Sequence, residues 1–391
     1  MNQSRPVLSF VIPCLNESAT LASVIGECHQ GGRAAACSYE IIVADNGSTD
    51  GSQQIALNNG ARVVNVPTKG YGAALAGGIS KAKGKYILMG DADSTYDFRQ
   101  APIFIEKLKQ GYDLVMGNRF QGEILTDAMP FLHRHLGNPV LSALGRLFFG
   151  IHIGDFHCGL RAFDRAAINS LNLHCSGMEF ASEMVIKASL LDLQTAEIPT
   201  VLRSNPPGRK PHLKTWRDGW RHLKFMLSFS PKYSLLPIAA VLLLAALVLT
   251  ILFALRTAPF TGANTMIFAA SCSIAAMSIF SDYLLTREML YWRLSVRKKR
   301  ISSGLDYLLG LHKGTDRLFK LSAAFLFLSL SGLIVMLIFW SQSLLALPMA
   351  AVMGLLSCAS MFFAISFYLT ATKLSTYRSL HNHPISRRMD L

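Results

Sequence analysis

Short apolar runs and helix-length amphipathic segments alternate through the first hundred-odd residues of the chain. Runs at 7–12, 39–44, 61–66, 86–90 and 113–117 are apolar and bounded by polar clusters, so each is predicted to be a strand. Segments 19–29, 52–59, 72–82 and 101–110, which lie between them, are predicted to be helices. Strands alternating with helices predict an α/β domain whose mostly parallel sheet is covered on both faces. Ligands of such sheets bind beyond the carboxyl ends of the strands. Three polar loops fall at that place: Pro13-Cys14-Leu15-Asn16-Glu17-Ser18, Asp45-Asn46-Gly47-Ser48-Thr49-Asp50 and Asp91-Ala92-Asp93. Each carries at least one carboxylate, and their coincidence says more than any one of them.

From about Pro231 the pattern changes. Four apolar runs, at about 235–255, 265–285, 321–340 and 344–369, each approach the ~20 residues needed to cross ~30 Å of hydrocarbon. The second is the weakest, with several serines and Asp282 near its end. Just before the first run, Trp216, Trp220, Leu223 and Leu227 recur at helical spacing, with Arg217, Arg221 and Lys224 elsewhere on the helix. That pattern suits a helix lying in the headgroup layer, an ordinary domain-surface helix being the alternative. The expected organisation is a globular domain at 1–214, an interfacial helix at 215–231, a four-span transmembrane domain at 232–372 and a basic tail at 373–391.

Charge adds an orientation. The chain has 38 Lys and Arg against 24 Asp and Glu, a net charge of +14. Arg287, Arg293, Arg297, Lys298, Lys299 and Arg300 lie between the second and third runs, and Lys373, Arg378, Arg387 and Arg388 follow the fourth. The other two connections hold only Arg256. Positive-inside logic predicts a multi-pass protein of the plasma (inner) membrane with the globular domain and both termini cytoplasmic. Residues 1–5 are polar and show no signal-peptide pattern. The basic excess points to anionic lipid and a phosphorylated substrate as partners; no nucleic-acid module is evident. The seven cysteines form no CxxC pair and read as reduced thiols.

The loops carry the chemistry. Asp91 and Asp93, at the exposed end of a strand, suit a hard cation such as Mg²⁺ or Mn²⁺ that bridges a diphosphate, although DxD alone is common by chance. Asp45 can accept hydrogen bonds from a base or ribose; the alternative is a turn and helix cap. Arg119 follows the fifth run, and Asp155 belongs to a second polar cluster whose plainest reading is a salt bridge with Arg161. Arg203, Arg209, Lys210, His212 and Lys214 surround Pro206-Pro207-Gly208, a loop suited to phosphate capture or to anionic lipid.

The order Ile12-Pro13-Cys14-Leu15-Asn16-Glu17, Ala44-Asp45-Asn46-Gly47-Ser48-Thr49-Asp50, Lys69-Gly70-Tyr71-Gly72-Ala73-Ala74, Gly90-Asp91-Ala92-Asp93, Gly117-Asn118-Arg119 and Gly159-Leu160-Arg161-Ala162-Phe163 resembles family 2 glycosyltransferases of the GT-A fold. Within them it is similar to the branch of dolichol-phosphate mannose synthase and undecaprenyl-phosphate glucosyltransferase. The resemblance covers about the first 215 residues. It implies inverting transfer of a hexose from a nucleoside-diphosphate sugar, of UDP-glucose or GDP-mannose type, to a polyisoprenyl phosphate. It assigns Pro13, Glu17, Asp45, Lys69, Asp91, Ala92 and Asp93 to the donor, and Asp91 and Asp93 to the metal. It assigns Asp155, Asp93 and Arg119 to catalysis, and Arg119, Arg134, Arg203, Arg209 and Lys210 to the acceptor phosphate. Two positions depart from the branch: Thr95 stands where a Gln is common, and Arg209-Lys210 where Ser-Lys is common. A processive polysaccharide synthase is the rival within the fold, but its QxxRW signature is missing and Trp216-Arg217 is reversed. A transporter with a nucleotide-binding domain would want more polar spans. Sugar, nucleotide and oligomeric state, a homo-oligomer included, stay open.

Overall fold

The structure, a computed structural model, describes residues 5–204 and 215–294 except 258, 260 and 261, together with scattered residues between 320 and 373. The chain forms two compact units, Met1–Phe229 and Ser230–Leu391.

The first unit begins with β1 (Leu8–Cys14), α1 (Leu21–Ala34), β2 (Tyr39–Asp45), α2 (Ser52–Asn58), β3 (Arg62–Asn65), α3 (Tyr71–Lys81) and β4 (Tyr86–Met89). A 3₁₀ turn (Phe98–Gln100) leads into α4 (Ala101–Lys109), followed by β5 (Leu114–Asn118). A π turn (His133–Gly137) then opens α5 (Asn138–Phe149), before β6 (Arg161–Asp164), α6 (Arg165–Ser170), α7 (Phe180–Leu190), β7 (Thr195–Pro199) and α8 (Thr215–Ser228). All five predicted strands and all four predicted helices are present, with ends shifted by a few residues. The largest shift is in α1, which runs on through Gly31 and Gly32. Both are close-approach positions: a Cβ would stand 2.2 Å from the Phe98 carbonyl oxygen at Gly31 and 2.6 Å from the Tyr39 ring at Gly32.

The seven strands form one sheet in the order β3-β2-β1-β4-β6-β5-β7. It is mostly parallel, as expected, except that β6 runs antiparallel to both β4 and β5. Every residue of β1 is buried, and Phe10, Ile12, Leu88, Phe104 and Val115 form part of one core. A fully buried Leu or Phe contributes about 1.5–3 kcal/mol, so this two-sided burial drives assembly of the sheet. The register aligns Cys14 with Asp45, which brings the loops after β1 and β2 to one edge of the sheet.

In the second unit a short helix α9 (Pro231–Ser234) precedes α10 (Leu236–Ala254) and α11 (Ala263–Leu294). Among the described residues two helical stretches are long and apolar enough to cross a membrane, Pro231–Ala254 and Asn264–Arg287. They fall on the first two expected runs. Only 11% of the apolar window of the first is buried, whereas a soluble core helix would hide most of it. The runs expected at 321–340 and 344–369, and with them a four-span region, lie largely outside the described residues.

Candidate active site

Side chains from one loop cap the backbone of the other at the carboxyl ends of β1 and β2. Asn16, in the left-handed region at φ 57°, accepts from the Thr49 amide while its own amide donates to Ser48 Oγ. The Glu17 amide donates to Ser52 Oγ, and the Ser18 amide to Asp50. Desolvation pushes the Asp50 carboxyl up, but bonds from Ser52 and Ser18 outweigh it and hold the pKa at about 2. Asp45 is buried and accepts from the Gly47 and Ser48 amides and from Gln53 Nε2. Its carboxylate shapes this turn. Lys69 sets its exposed ammonium on the Asn46 carbonyl at 2.7 Å, beside the same turn.

Asp91 and Asp93 follow β4 and are half-buried. Tyr71 Oη donates to Asp91 Oδ1 at 2.9 Å. Burial first, then the Asp91 charge, pushes the Tyr71 phenol well above its ordinary pKa, so it stays a donor. Thr95 donates from its amide and its hydroxyl to Asp93 Oδ1. The residue that stands where the branch often has Gln therefore caps Asp93. Between them, the Ala92 carbonyl accepts from Thr20 Oγ1. Among the described residues no group of three or more His, Cys, Asp or Glu side chains could hold a metal ion. Two oxygen-donor carboxylates still fit Mg²⁺ or Mn²⁺, because such ions are held by one or two carboxylates with phosphate oxygens and water completing the shell.

Gly159 closes the Asp91 side. Its amide donates to Tyr96 Oη, and a Cβ there would lie 2.8 Å from Asp91 Oδ2 and 2.9 Å from the Tyr96 ring. Gly159→Ala is therefore expected to displace the Asp91 carboxylate, lowering metal-dependent nucleotide affinity by about ten- to a hundredfold, the scale of losing a supporting contact around a metal. The fold should survive, since the clash falls on side-chain atoms. Metal titrations of nucleotide binding, beside a thermal melt, check both halves.

The same loop leads back to a buried ion pair. Asp155, fully buried, receives the Arg119 guanidinium as a fork: Nε to Oδ2 at 2.6 Å and Nη2 to Oδ1 at 2.8 Å. The Arg119 amide adds a third bond. The Gly154 and Asp155 amides donate to Glu197 of β7, which fixes the loop from the other side. Arg161, the partner considered from sequence, instead donates to the carbonyls of Phe156, Cys158 and Ala181.

Residues 9–171, which span this whole arrangement, match the model of Glycosyl transferase family 2. The chain carries a family 2 glycosyltransferase domain. Over 229 residues it is 41% identical to the low-salt glycan biosynthesis hexosyltransferase Agl6 of Haloferax volcanii, a match covering 58% of this chain and 55% of that protein. The chain thus spans little more than half the length of that relative. It is 28% identical to a dolichyl-phosphate hexose transferase of the same organism, covering 50% of this chain and 82% of that protein. Among solved structures, glucosyl-3-phosphoglycerate synthase from Mycobacterium tuberculosis, crystallised with Mn²⁺, UDP and glucosyl-3-phosphoglycerate, aligns at 24% identity and a TM-score of 0.48 over 57% of this chain and 80% of that one.

Within the glycosyltransferase domain the candidate residues fall into separate groups. Asp91, Ala92 and Asp93 share one loop, and Gly159 joins it to the loop that holds Asp155 and Arg119. Pro13 pairs with Ala44 inside the sheet, and Glu17 is buried in the loop between β1 and α1. Arg203 lies elsewhere: its guanidinium meets Glu27 at 2.5 Å and Asp97 at 2.7 Å. Its amide donates to the Thr95 carbonyl, so it braces the Asp91–Asp93 loop from behind. Arg134 is exposed in the π turn. Arg209 and Lys210 lie outside the described residues. Sequence reading gave no role to Tyr71, Tyr96, Thr20 or Glu197. Tyr71 was within reach, since it sits inside the quoted Lys69-Gly70-Tyr71 motif.

Proposed function

We propose that the protein transfers a hexose, with inversion, from a nucleoside-diphosphate sugar of UDP-glucose or GDP-mannose type to a polyisoprenyl phosphate at the cytoplasmic face of a membrane. The observation that carries this reading is the half-buried Asp91–Asp93 pair, oriented by Tyr71 and Thr95 and joined through Gly159 to the Arg119–Asp155 fork. Relatives named as a hexosyltransferase and a dolichyl-phosphate hexose transferase support it. So do two apolar helices that follow the domain.

Asp91 and Asp93 would hold Mg²⁺ or Mn²⁺, which supplies charge neutralisation to a leaving diphosphate. Lys69 and the turn shaped by Asp45 would receive the nucleotide, with Pro13 and Glu17 lining the first loop. A polyprenyl phosphate oxygen is already anionic, so the reaction needs positioning more than a strong base. Both Asp155 oxygens are engaged by Arg119, so Asp155 serves to hold that guanidinium where it meets phosphate. Arg209 and Lys210, with Arg134, would take the acceptor phosphate; Arg203 reaches it only by exchanging Glu27 and Asp97. The domain plan proposed is the one expected: a cytoplasmic domain at 1–214, an interfacial helix at 215–231, four spans across 232–372 and a basic cytoplasmic tail. A homo-oligomer is compatible with it.

Purified protein incubated with a panel of labelled nucleotide-sugars and polyprenyl phosphate tests the reading. Lipid-extractable label should form from one donor only when acceptor and a divalent cation are both present. Labelled polymer instead would indicate a processive synthase, and no nucleotide release under any condition would overturn the enzyme.

A further inference from the structure

We propose that Ser182, with His157 and His222 bonded to it, is a positioning residue for transfer: it fastens the loop from Asp155 to Gly159 to α8, and so sets where the two ends of that loop stand. Both ends are already tied to the site. Asp155 holds the Arg119 guanidinium, and Gly159 lies against Asp91 and Tyr96. The middle of the loop is tied elsewhere. Arg161 donates to the carbonyls of Phe156 and Cys158, on either side of His157, and also to the carbonyl of Ala181, beside Ser182. The His157 side chain takes the same direction. Its Nε2 lies 3.4 Å from Ser182 Oγ, and His222 Nδ1 meets the same hydroxyl at 2.8 Å. The two imidazoles pack edge to face, with ring centroids 4.7 Å apart.

The chemistry makes this meeting specific. Ser182 is fully buried on α7, and His222 is buried on the face of α8 that also carries Met226 one turn on. An apolar side chain at position 222 would fill that face without the cost of burying a polar ring. A hydroxyl has one proton, so Ser182 donates to one imidazole and accepts from the other, and the three groups act as a unit. Burial first, then the charges of His222, Arg161 and Arg119, keep His157 well below the ordinary histidine pKa, so its ring is neutral. Its Nδ1 is buried and meets no partner among the described residues. Among those residues the contact with Ser182 is therefore the directed bond that holds the ring. The chain enters α8 from the basic segment 203–214 and leaves it for the apolar stretch that begins at Pro231. A second fastening, Arg221 Nε to Glu179 at 3.1 Å, is half exposed and so weak. A shift of α8 at His222 thus passes through Ser182 to His157, and moves the guanidinium at one end of the loop relative to the carboxylates at the other. Transfer depends on that spacing, since a misplacement of about 1 Å can cost on the order of a hundredfold in rate.

This inference deepens the transferase reading proposed above and rests on it. Ser182→Ala, His222→Leu and His222→Asn are made in the full chain; the Asn amide nitrogen reproduces the reach of Nδ1. Turnover and the KM for polyprenyl phosphate are measured with the donor that supports transfer, beside the Kd of its nucleoside diphosphate with Mn²⁺ and a thermal melt. Ser182→Ala and His222→Leu should each lower kcat by about ten- to a hundredfold, with KM and Kd unchanged. Combined, they should cost no more than either alone, because they break one unit. His222→Asn should recover most of the turnover. Arg221→Ala, which removes the second fastening and neither bond of Ser182, should leave kcat near that of the unaltered protein. Should Ser182→Ala melt early, His222→Leu, which fills the same face, carries the test. Unchanged kcat in both Ser182→Ala and His222→Leu overturns the inference and leaves the transferase standing. So does a weakening of Kd that parallels the loss of kcat, which means that the whole site has loosened. His222→Asn no better than His222→Leu, or Arg221→Ala as damaging as either, overturns it too. No transfer by the unaltered protein with any donor removes the transferase reading and this inference together.

Discussion

Asp91→Asn and Asp93→Asn are each expected to reduce sugar transfer by on the order of a hundred- to a thousandfold, the scale of one preorganised electrostatic contact at a site of developing charge. Asparagine keeps the size of the side chain and its carbonyl acceptor, so Tyr71 and Thr95 keep a partner and the fold is expected to hold. What is lost is the formal charge, which a hard cation requires of its ligand. The two variants should differ in one respect. Tyr71 donates to Asp91, so the Asp91 change also removes an anion that raises the phenol pKa, and the phenol should titrate at lower pH in that variant. Turnover measured across Mg²⁺ and Mn²⁺ concentrations checks the first expectation. Ultraviolet titration of the tyrosines checks the second. Full activity of either variant, or of the unaltered protein in a strong chelator, would sink the metal assignment.

Arg119→Ala should be the most damaging single change to the fold at the site. Asp155 is completely buried, and the substitution would leave its carboxylate with only the amide bond of residue 119. Breaking a buried pair from one side costs about 3–5 kcal/mol, a large part of the 5–15 kcal/mol by which domains are stable. Arg119→Lys should rescue little, because one ammonium cannot meet both oxygens in the same plane. Removing both partners separates structure from chemistry. Arg119→Ala with Asp155→Ala should recover much of the lost stability, since no uncompensated charge remains, yet stay inactive if the guanidinium handles phosphate. Denaturant midpoints and turnover on the single and double variants decide this. Equal stability of Arg119→Ala and the double variant would show that burial of Asp155 carries no such penalty.

Much of the site was legible because it is local in sequence. Each of the three loops follows its strand directly, and a strand that must bury its apolar run leaves its carboxylates at the exposed end. The role of Thr95 was not legible, because only the backbone turn after Asp93 brings its hydroxyl back onto that carboxylate. Gly159 opens the Gly159-Leu160-Arg161-Ala162-Phe163 motif, yet nothing in its neighbours announces that its missing side chain makes room for Asp91, far away along the chain. The extension of α1 was missed because paired glycines look like a helix end until the close approach of Phe98 and Tyr39 is known.

The sequence by itself determined the order and type of the elements from β1 to β5, the edge of the sheet at which the candidate loops gather, and the change to apolar helices after Pro231. These follow from side-chain periodicity and turn chemistry, which act over a few residues. Tertiary structure alone decided which groups meet. The partner of Asp155 is Arg119, 36 residues away, rather than nearby Arg161, because β5 and β6 are neighbours and their ends converge. Strand β6 reverses direction between β4 and β5, a choice made by the sheet and not by four residues containing a buried arginine. The meeting of His157 and His222 at Ser182 appears only once α7 and α8 pack together. Pairing across long sequence separations depends on how the sheet is ordered, and no local pattern carries that information.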